Sequence, residues 1–395
     1  MSILFAEGKT VIRIVVPICV LVSICITGCF EGDKIAVKGL GAASIDTCAG
    51  MAEYLQDQNL PALESVEVWE GEYGPAEGGQ GEALHRIEPA SGGQAGLQPG
   101  GLKLTTSHYE IFTTLLEPLM LRRIPLFMES AYRSYNDELP EPIETTSKFT
   151  IYLFADRQQW VAFTKNFAGE QAELFCRIKA GAYYLNGACV TYNIGRKRTF
   201  SALGHEGWHQ FNSRCFKFRL PSWLDEGVAM LFESPRTEEG VFSFEPAEGR
   251  LDQTRLRRAG ENTYRLDALK KMLKKHKAIP LKELIAMNPG EVLATNESEQ
   301  VLAFYGQSYA LVRFLREGSF GKRLSNYRQL LLDGLRGNWP LDNVSKRIAE
   351  DRNEPRTVLW NQIVGQLLFQ QYVSSDFDQI EQEYLAFCRQ IINQK

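Results

Sequence analysis

Residues 199–211 read Thr-Phe-Ser-Ala-Leu-Gly-His-Glu-Gly-Trp-His-Gln-Phe, and His205-Glu206-Gly207-Trp208-His209 at their centre narrows the fold more than any other feature. On a helix, positions i and i+4 lie one turn apart on the same face. Two imidazoles at 205 and 209 can therefore reach one small cation. Glu206, one residue on, can address a water on that cation without ligating it. Neutral nitrogen ligands, an open coordination position and an adjacent carboxylate base are the parts of a hydrolytic zinc site. The competing reading is a pair of histidines satisfied on a buried helix. The chain has only five histidines, however, and two of them stand here.

A second segment shifts the balance. Pro221-Ser222-Trp223-Leu224-Asp225-Glu226-Gly227-Val228-Ala229 follows closely and reads as a helix start, with Ser222 as a capping residue and Glu226 in the early turns. The interval from His209 leaves room for a helix end, a loop and a return. Two antiparallel helices would then face each other, and Glu226 would complete a His-His-Glu shell. Taken alone, Glu226 reads as a surface carboxylate favoured by the helix dipole, and Asp225 competes with it.

Trp-Leu-x-Glu-Gly-x-Ala after His-Glu-x-x-His resembles the gluzincin branch of zinc peptidases, the MA clan, to which thermolysin and aminopeptidase N-like enzymes belong. The chain also resembles a group of bacterial envelope proteins of unknown function with a gluzincin-like domain. The similarity covers residues 102–390 in layout, and its specific part is short. It implies Zn2+ on His205, His209 and Glu226, Glu206 as general base, and a substrate cleft between a small sheet and a helical lobe. It also implies hydrolysis of peptide bonds in peptide or protein substrates, with zinc polarising the scissile carbonyl.

The amphipathic stretch Phe304 to Leu315 resembles the helix on which aminopeptidase N-like enzymes carry an oxyanion-donating tyrosine. The match falls on Tyr305, with Tyr309 behind it; a core aromatic is the alternative for both. Two features of the family are missing. No Gly-Ala-Met-Glu-Asn segment is present to hold a free N-terminus, Gly181-Ala182-Tyr183-Tyr184 being the nearest equivalent. Met230 stands where thermolysin has an Asp four residues after its third ligand. The residues orienting the two imidazoles are thus not identified by the pattern, with Glu233 as a candidate.

The N-terminus predicts export. Lys9 and Arg13 precede a short apolar run, Ile14 to Cys25, which ends in Ile26-Thr27-Gly28-Cys29. An aliphatic residue, two small ones and a Cys resemble the lipobox of bacterial lipoproteins. Residues 1–28 would be a signal peptide and Cys29 would carry the lipid that holds the chain to the cell envelope; an uncleaved membrane anchor is the rival. Residues 71–101, rich in Gly, Pro, Ala and Gln, read as a flexible tether within an N-terminal segment spanning 29–101. Cys48, Cys176, Cys189, Cys215 and Cys388 remain, with Cys176 and Cys189 as a candidate pair.

With 44% hydrophobic residues, the chain can bury a sizeable core. Its net charge of -4 supplies no general field for nucleic acid. The domain 102–395 divides into a small α/β part, 102–198, and a helical lobe, 199–395. Leu102 to Thr114 and Lys148 to Phe154 read as strands, Leu115 to Tyr135 and Asp156 to Phe167 as helices. Ala182 to Leu185 and Cys189 to Tyr192 bracket Asn186-Gly187 as a hairpin. After Thr199 the pattern is almost wholly helical. The expectation is an α+β, zincin-like fold: a small mixed sheet with a hairpin edge, then a helical lobe carrying the catalytic helix. The basic run Lys270 to Lys277 reads as a solvated helix face, with a membrane-facing patch as the alternative. Two rival functions are a non-catalytic binding module on this fold and a structural envelope lipoprotein. The intact Glu206 argues against the first, and Trp223 to Ala229 against the second.

Overall fold

Strand β4 (Phe149–Phe154) is buried on both faces, and its alternation organises the α/β half of the molecule. Phe149, Ile151 and Leu153 join one apolar cluster, and Tyr152 and Phe154 join another. A strand covered on both faces is the signature of parallel pairing with helices on either side. The computed structural model, which describes residues 47–70, 100–178, 181–238, 241–244, 261–288, 290, 298–353 and 356–393, has this arrangement. The sheet contains β1 (Ser65–Trp69), β2 (Gly101–Thr105), β3 (Tyr109–Thr113), β4, β5 (Ala182–Leu185) and β6 (Ala188–Tyr192), in the order β1-β2-β3-β4-β6-β5. β3 and β6 flank β4 in parallel; the other pairs are antiparallel. Parallel neighbours need crossovers. They are α2 (Pro118–Asp137), and the pair α3 (Arg157–Phe167) and α4 (Ala172–Cys176). Asp156 caps α3 by accepting from the Gln159 N–H at 2.9 Å. The hairpin edge is as read, with Asn186 and Gly187 both at positive φ.

Three expectations are corrected. Leu102 to Thr114 is two strands, not one. The turn between them is held by Thr106 Oγ1, which accepts from the Tyr109 N–H at 2.9 Å and donates to Glu129 of α2 at 2.6 Å. Folded structure also begins earlier, at α1 (Cys48–Asp57), and β1 pairs with β2 from Ser65↔Thr105 to Trp69↔Gly101. The Gly-rich segment therefore joins two paired strands instead of preceding the domain; residues 71–99 themselves, and the signal and Cys29 at 1–46, lie outside the described residues. Cys176 and Cys189 do not pair: the five described cysteines are free thiols.

Among the described residues, the C-terminal part is helical apart from a short hairpin, β7 (Arg236–Glu238) and β8 (Val241–Ser243). Its helices are α5 (Arg196–Cys215), α6 (Ser222–Ala229), α7 (Thr263–Lys274), α8 (Leu281–Ala286), α9 (Ser298–Gly321), α10 (Leu324–Arg336) and α11 (Asn343–Glu350). α12 (Val358–Trp360) runs through a π-helical turn into α13 (Gln366–Tyr372), and α14 (Phe377–Asn393) closes the chain. The class is thus α+β. No helix of the described residues is long and apolar enough to cross a membrane.

Glycines let the central helices approach closely. A Cβ on Gly204 of α5 would stand 2.3 Å from Phe232 O, and one on Gly207 2.4 Å from the Tyr135 hydroxyl of α2. On Gly227 of α6 it would meet Val312 at 2.5 Å and Ser308 O at 2.6 Å, both on α9. His205, His209 and Glu226 sit between these crossings, so their backbones are fixed by packing on several sides.

Candidate metal centre

α5 starts after Gly195, whose φ of 90° turns the chain out of the sheet. Phe200, Leu203, Trp208 and Phe211 bury its core side. α6 starts after Pro221, and there the expected role of Ser222 is replaced: its backbone N–H donates to Asn361 Oδ1 at 3.0 Å, so a side chain from the C-terminal part secures the helix start.

The two helices bring His205, His209 and Glu226 together, with one candidate ligand atom from each and all three within 4.8 Å of one another. Glu226 Oε2 lies 3.2 Å from His205 Nε2 and 3.6 Å from His209 Nε2. Bonds of about 2.0–2.2 Å in a tetrahedral shell put ligand atoms roughly 3.3 Å apart, so these separations suit a cation between them. All three side chains are buried. This group can hold a metal ion.

The outer nitrogens define the tautomers. His205 Nδ1 lies 2.9 Å from Glu233 Oε1, and His209 Nδ1 lies 2.8 Å from Asp225 Oδ1. An ionised carboxylate only accepts, so each ring carries its proton on Nδ1 and turns the Nε2 lone pair to the cation position. Glu233, the sequence candidate, is thus a real partner of His205. Asp225, read from the sequence only as Glu226's competitor, is the partner of His209. Its adjacency to Glu226 in the first turns of α6 was the available signal. Behind these carboxylates stand residues that no motif announced. Arg265 grips Glu233 at both oxygens (2.9 and 2.6 Å), and Asn262 also donates to it. Arg356 donates to Asp225 Oδ2 at 2.6 Å, and Asn212 to Asp225 Oδ1 at 2.7 Å.

Charge and solvation support the same assignment. Glu206, Asp225, Glu226 and Glu233 are four carboxylates against the two guanidiniums of Arg265 and Arg356. With neutral imidazoles and all four carboxylates ionised, the centre has two net negative charges, which one divalent cation balances. Uncompensated charge in such a buried place is costly. Glu206 is wholly buried, and neither of its carboxylate oxygens has a hydrogen-bond partner. In the metal-free protein burial pushes its pKa up to about 7, against the pull of His209 and His205. Burial would also raise Glu226, but His209 and His205 bring it down to about 2. For Glu233, Arg265 and His205 outweigh burial and hold it well below the carboxylate range; His209 and Arg356 do the same for Asp225. Burial would lower His205, yet its bonds to Glu226 and Glu233 prevail and raise it.

Tyr305 is buried in α9, with its ring centroid 4.9 Å from the Arg265 guanidinium. Arg265 thus stands between Tyr305 and Glu233, and both Arg265 and Glu233 between Tyr305 and His205. Tyr309, a turn later, accepts from the Asn262 N–H at 3.1 Å. A surface cavity of about 450 Å³, lined by Pro340, Leu341, Leu368 and Gln371 among others, contains none of the centre's residues. Comparison of the chain with known protein families and with curated proteins gave no match to either.

Proposed function

We propose that the chain is a zinc metallopeptidase of gluzincin type, with a zincin-like fold, exported and held to the cell envelope through a lipid on Cys29. The observation that carries the reading is the buried His205–His209–Glu226 group with the unpartnered Glu206 carboxylate beside it. Two imidazoles and one carboxylate are a donor set suited to zinc. Zinc held there supplies a Lewis acid for the scissile carbonyl and makes water a nucleophile near neutral pH.

The chain's own residues supply the proton handling. Glu206 takes the proton of the attacking water on a carboxylate oxygen and gives it to the leaving amine. Asp225 and Glu233 keep both Nδ1 protons in place, so that the Nε2 atoms remain ligands. Tyr305 is the candidate donor to the oxyanion, on the family resemblance, with its ring over Arg265 consistent with a place at the edge of the centre. Strand β5 is an edge of the sheet among the described residues, and a substrate strand would pair there.

Metal analysis of the purified chain tests the reading. One equivalent of zinc is expected, and its loss in His205→Ala, His209→Ala and Glu226→Ala. Full zinc in the Glu226 variant would remove Glu226 from the shell, and an absence of zinc from the wild-type protein, even after zinc is supplied, would end the proposal.

A further inference from the structure

Each imidazole of the centre is backed in the same way: ring, carboxylate, guanidinium. His205 leads to Glu233 and then Arg265; His209 leads to Asp225 and then Arg356. The carboxylates belong to α6 and the turns just after it, close to the ligands in sequence. The guanidiniums do not. Arg265 comes from α7, and Arg356 stands 131 residues beyond Asp225, just before α12. We infer that Arg265 and Arg356 are positioning residues of the metal centre, which fix the two imidazoles by immobilising Glu233 and Asp225. The inference rests on the metal-centre reading above.

The geometry singles out Arg265 for this role. Its Nε donates to Glu233 Oε2 and its Nη2 to Oε1, a two-point grip that fixes the carboxylate plane as well as its place. With Glu233 Oε1 facing His205 Nδ1 at 2.9 Å, fixing that plane fixes the ring. The guanidinium is itself held, 5.2 Å from the Tyr264 ring centroid and 4.9 Å from that of Tyr305. Asn262 ties this arrangement to the backbone: its side-chain amide donates to Glu233 and to Met230 O, while its Oδ1 accepts from the Arg265 N–H at 3.3 Å. Arg356 shares one guanidinium nitrogen between Asp225 Oδ2 and Leu220 O, at 2.6 and 2.9 Å. It thereby joins the carboxylate to the loop that leads into α6. Residues remote in sequence thus complete what the two-helix motif leaves undone, since a ligand ring free to rotate about χ2 is a poorer ligand.

The experiment uses the full chain and conservative variants. Lys in place of Arg keeps the charge and removes the fork, so it separates positioning from electrostatics. Zinc dissociation constants come from chelator competition, and the visible bands of the cobalt(II)-loaded protein report ligand geometry. Loss of an outer partner of a metal-bound His typically weakens binding about 10- to 100-fold. Arg265→Lys and Arg356→Lys should each weaken zinc within that range and shift the cobalt bands, while helix content of the metal-free protein stays as in the wild type. Because Arg265 acts through Glu233, Glu233→Gln/Arg265→Lys should bind zinc no more weakly than Glu233→Gln alone. Wild-type affinity and an unchanged cobalt spectrum in both Lys variants would overturn the inference while leaving the metal centre intact. Losses that add in the double variant would overturn it too, by showing that Arg265 acts elsewhere. If the wild-type chain binds neither zinc nor cobalt, the metal-centre reading fails and the inference with it.

Discussion

Asp225 and Glu226, neighbours in sequence, address opposite nitrogens of the same ring: Asp225 Oδ1 lies 2.8 Å from His209 Nδ1, and Glu226 Oε2 3.6 Å from His209 Nε2. One turn of backbone thus provides both the candidate ligand and the group that sets the tautomer. The division of labour follows from partners. Arg356 and Asn212 saturate Asp225, which leaves it no freedom to reach a cation, whereas Glu226 Oε2 faces both Nε2 atoms.

The metal-free protein should lose stability as pH rises through neutrality. Glu206 has a folded pKa near 7 against an ordinary 4.5, so the folded state holds a proton that the unfolded chain releases between those values. Its contribution is favourable below about pH 4.5 and is lost as pH approaches 7. His205 is raised above 6.5, so its contribution is full below that value and is lost on further rise. Both slopes point the same way from pH about 6 upward. Bound zinc requires unprotonated Nε2 atoms, so it should reverse the trend. Melting temperatures from pH 5.5 to 8.5, with chelator and with zinc, check this. A chelator-treated protein that gains stability over that range would refute it.

Close packing at the centre makes its glycines unequal. Gly227→Ala drives a Cβ to 2.6 Å from Ser308 O, a backbone atom that cannot rotate away. Overpacking of this kind costs about 1–3 kcal/mol. Since Gly227 adjoins Glu226, zinc affinity should fall along with the melting temperature. Gly100→Ala is the control, because its Cβ would meet only Trp69 O, at the ordinary contact distance of 3.5 Å. Equal melting temperatures for the two variants would show that α6 and α9 adjust more freely than their contact suggests.

How much of this was legible follows from what each signal depends on. The centre's inner residues were legible because helical periodicity is local: a four-residue spacing sets His205 and His209 on one face wherever that helix lies. The hairpin was legible because Asn186-Gly187 states its own backbone conformation. The arginines behind the ligands were not, since nothing local marks Arg265 or Arg356; only the tertiary fold brings them to Glu233 and Asp225. β1 was missed for a similar reason. Ser65 to Trp69 is short, and its partner Gly101 to Thr105 lies across a long Gly-rich interval, so the pairing leaves no local trace. β2 and β3 read as one strand because the turn between them has no Gly or Pro and is closed by the Thr106 hydroxyl.

Tyr305→Phe separates the resemblance from the packing. If the hydroxyl donates to the oxyanion, its loss should lower turnover about 100- to 1,000-fold. KM should change little, because the charge exists only in the transition state. Steady-state kinetics on any cleaved peptide decides it. Normal turnover in the Phe variant would leave Tyr305 as a core aromatic packed on Arg265.

The most direct test of the central claim is digestion of an unbiased peptide library, read by mass spectrometry, with the wild-type chain and Glu206→Gln in parallel. Gln keeps the shape of the side chain and removes the base. The wild type should cleave peptides, lose that activity with a chelator and regain it with zinc. Glu206→Gln should retain one equivalent of zinc and cleave about 100- to 10,000-fold more slowly. Cleavage that persists in the chelator or in Glu206→Gln, or its absence from the zinc-loaded wild type, would contradict the account.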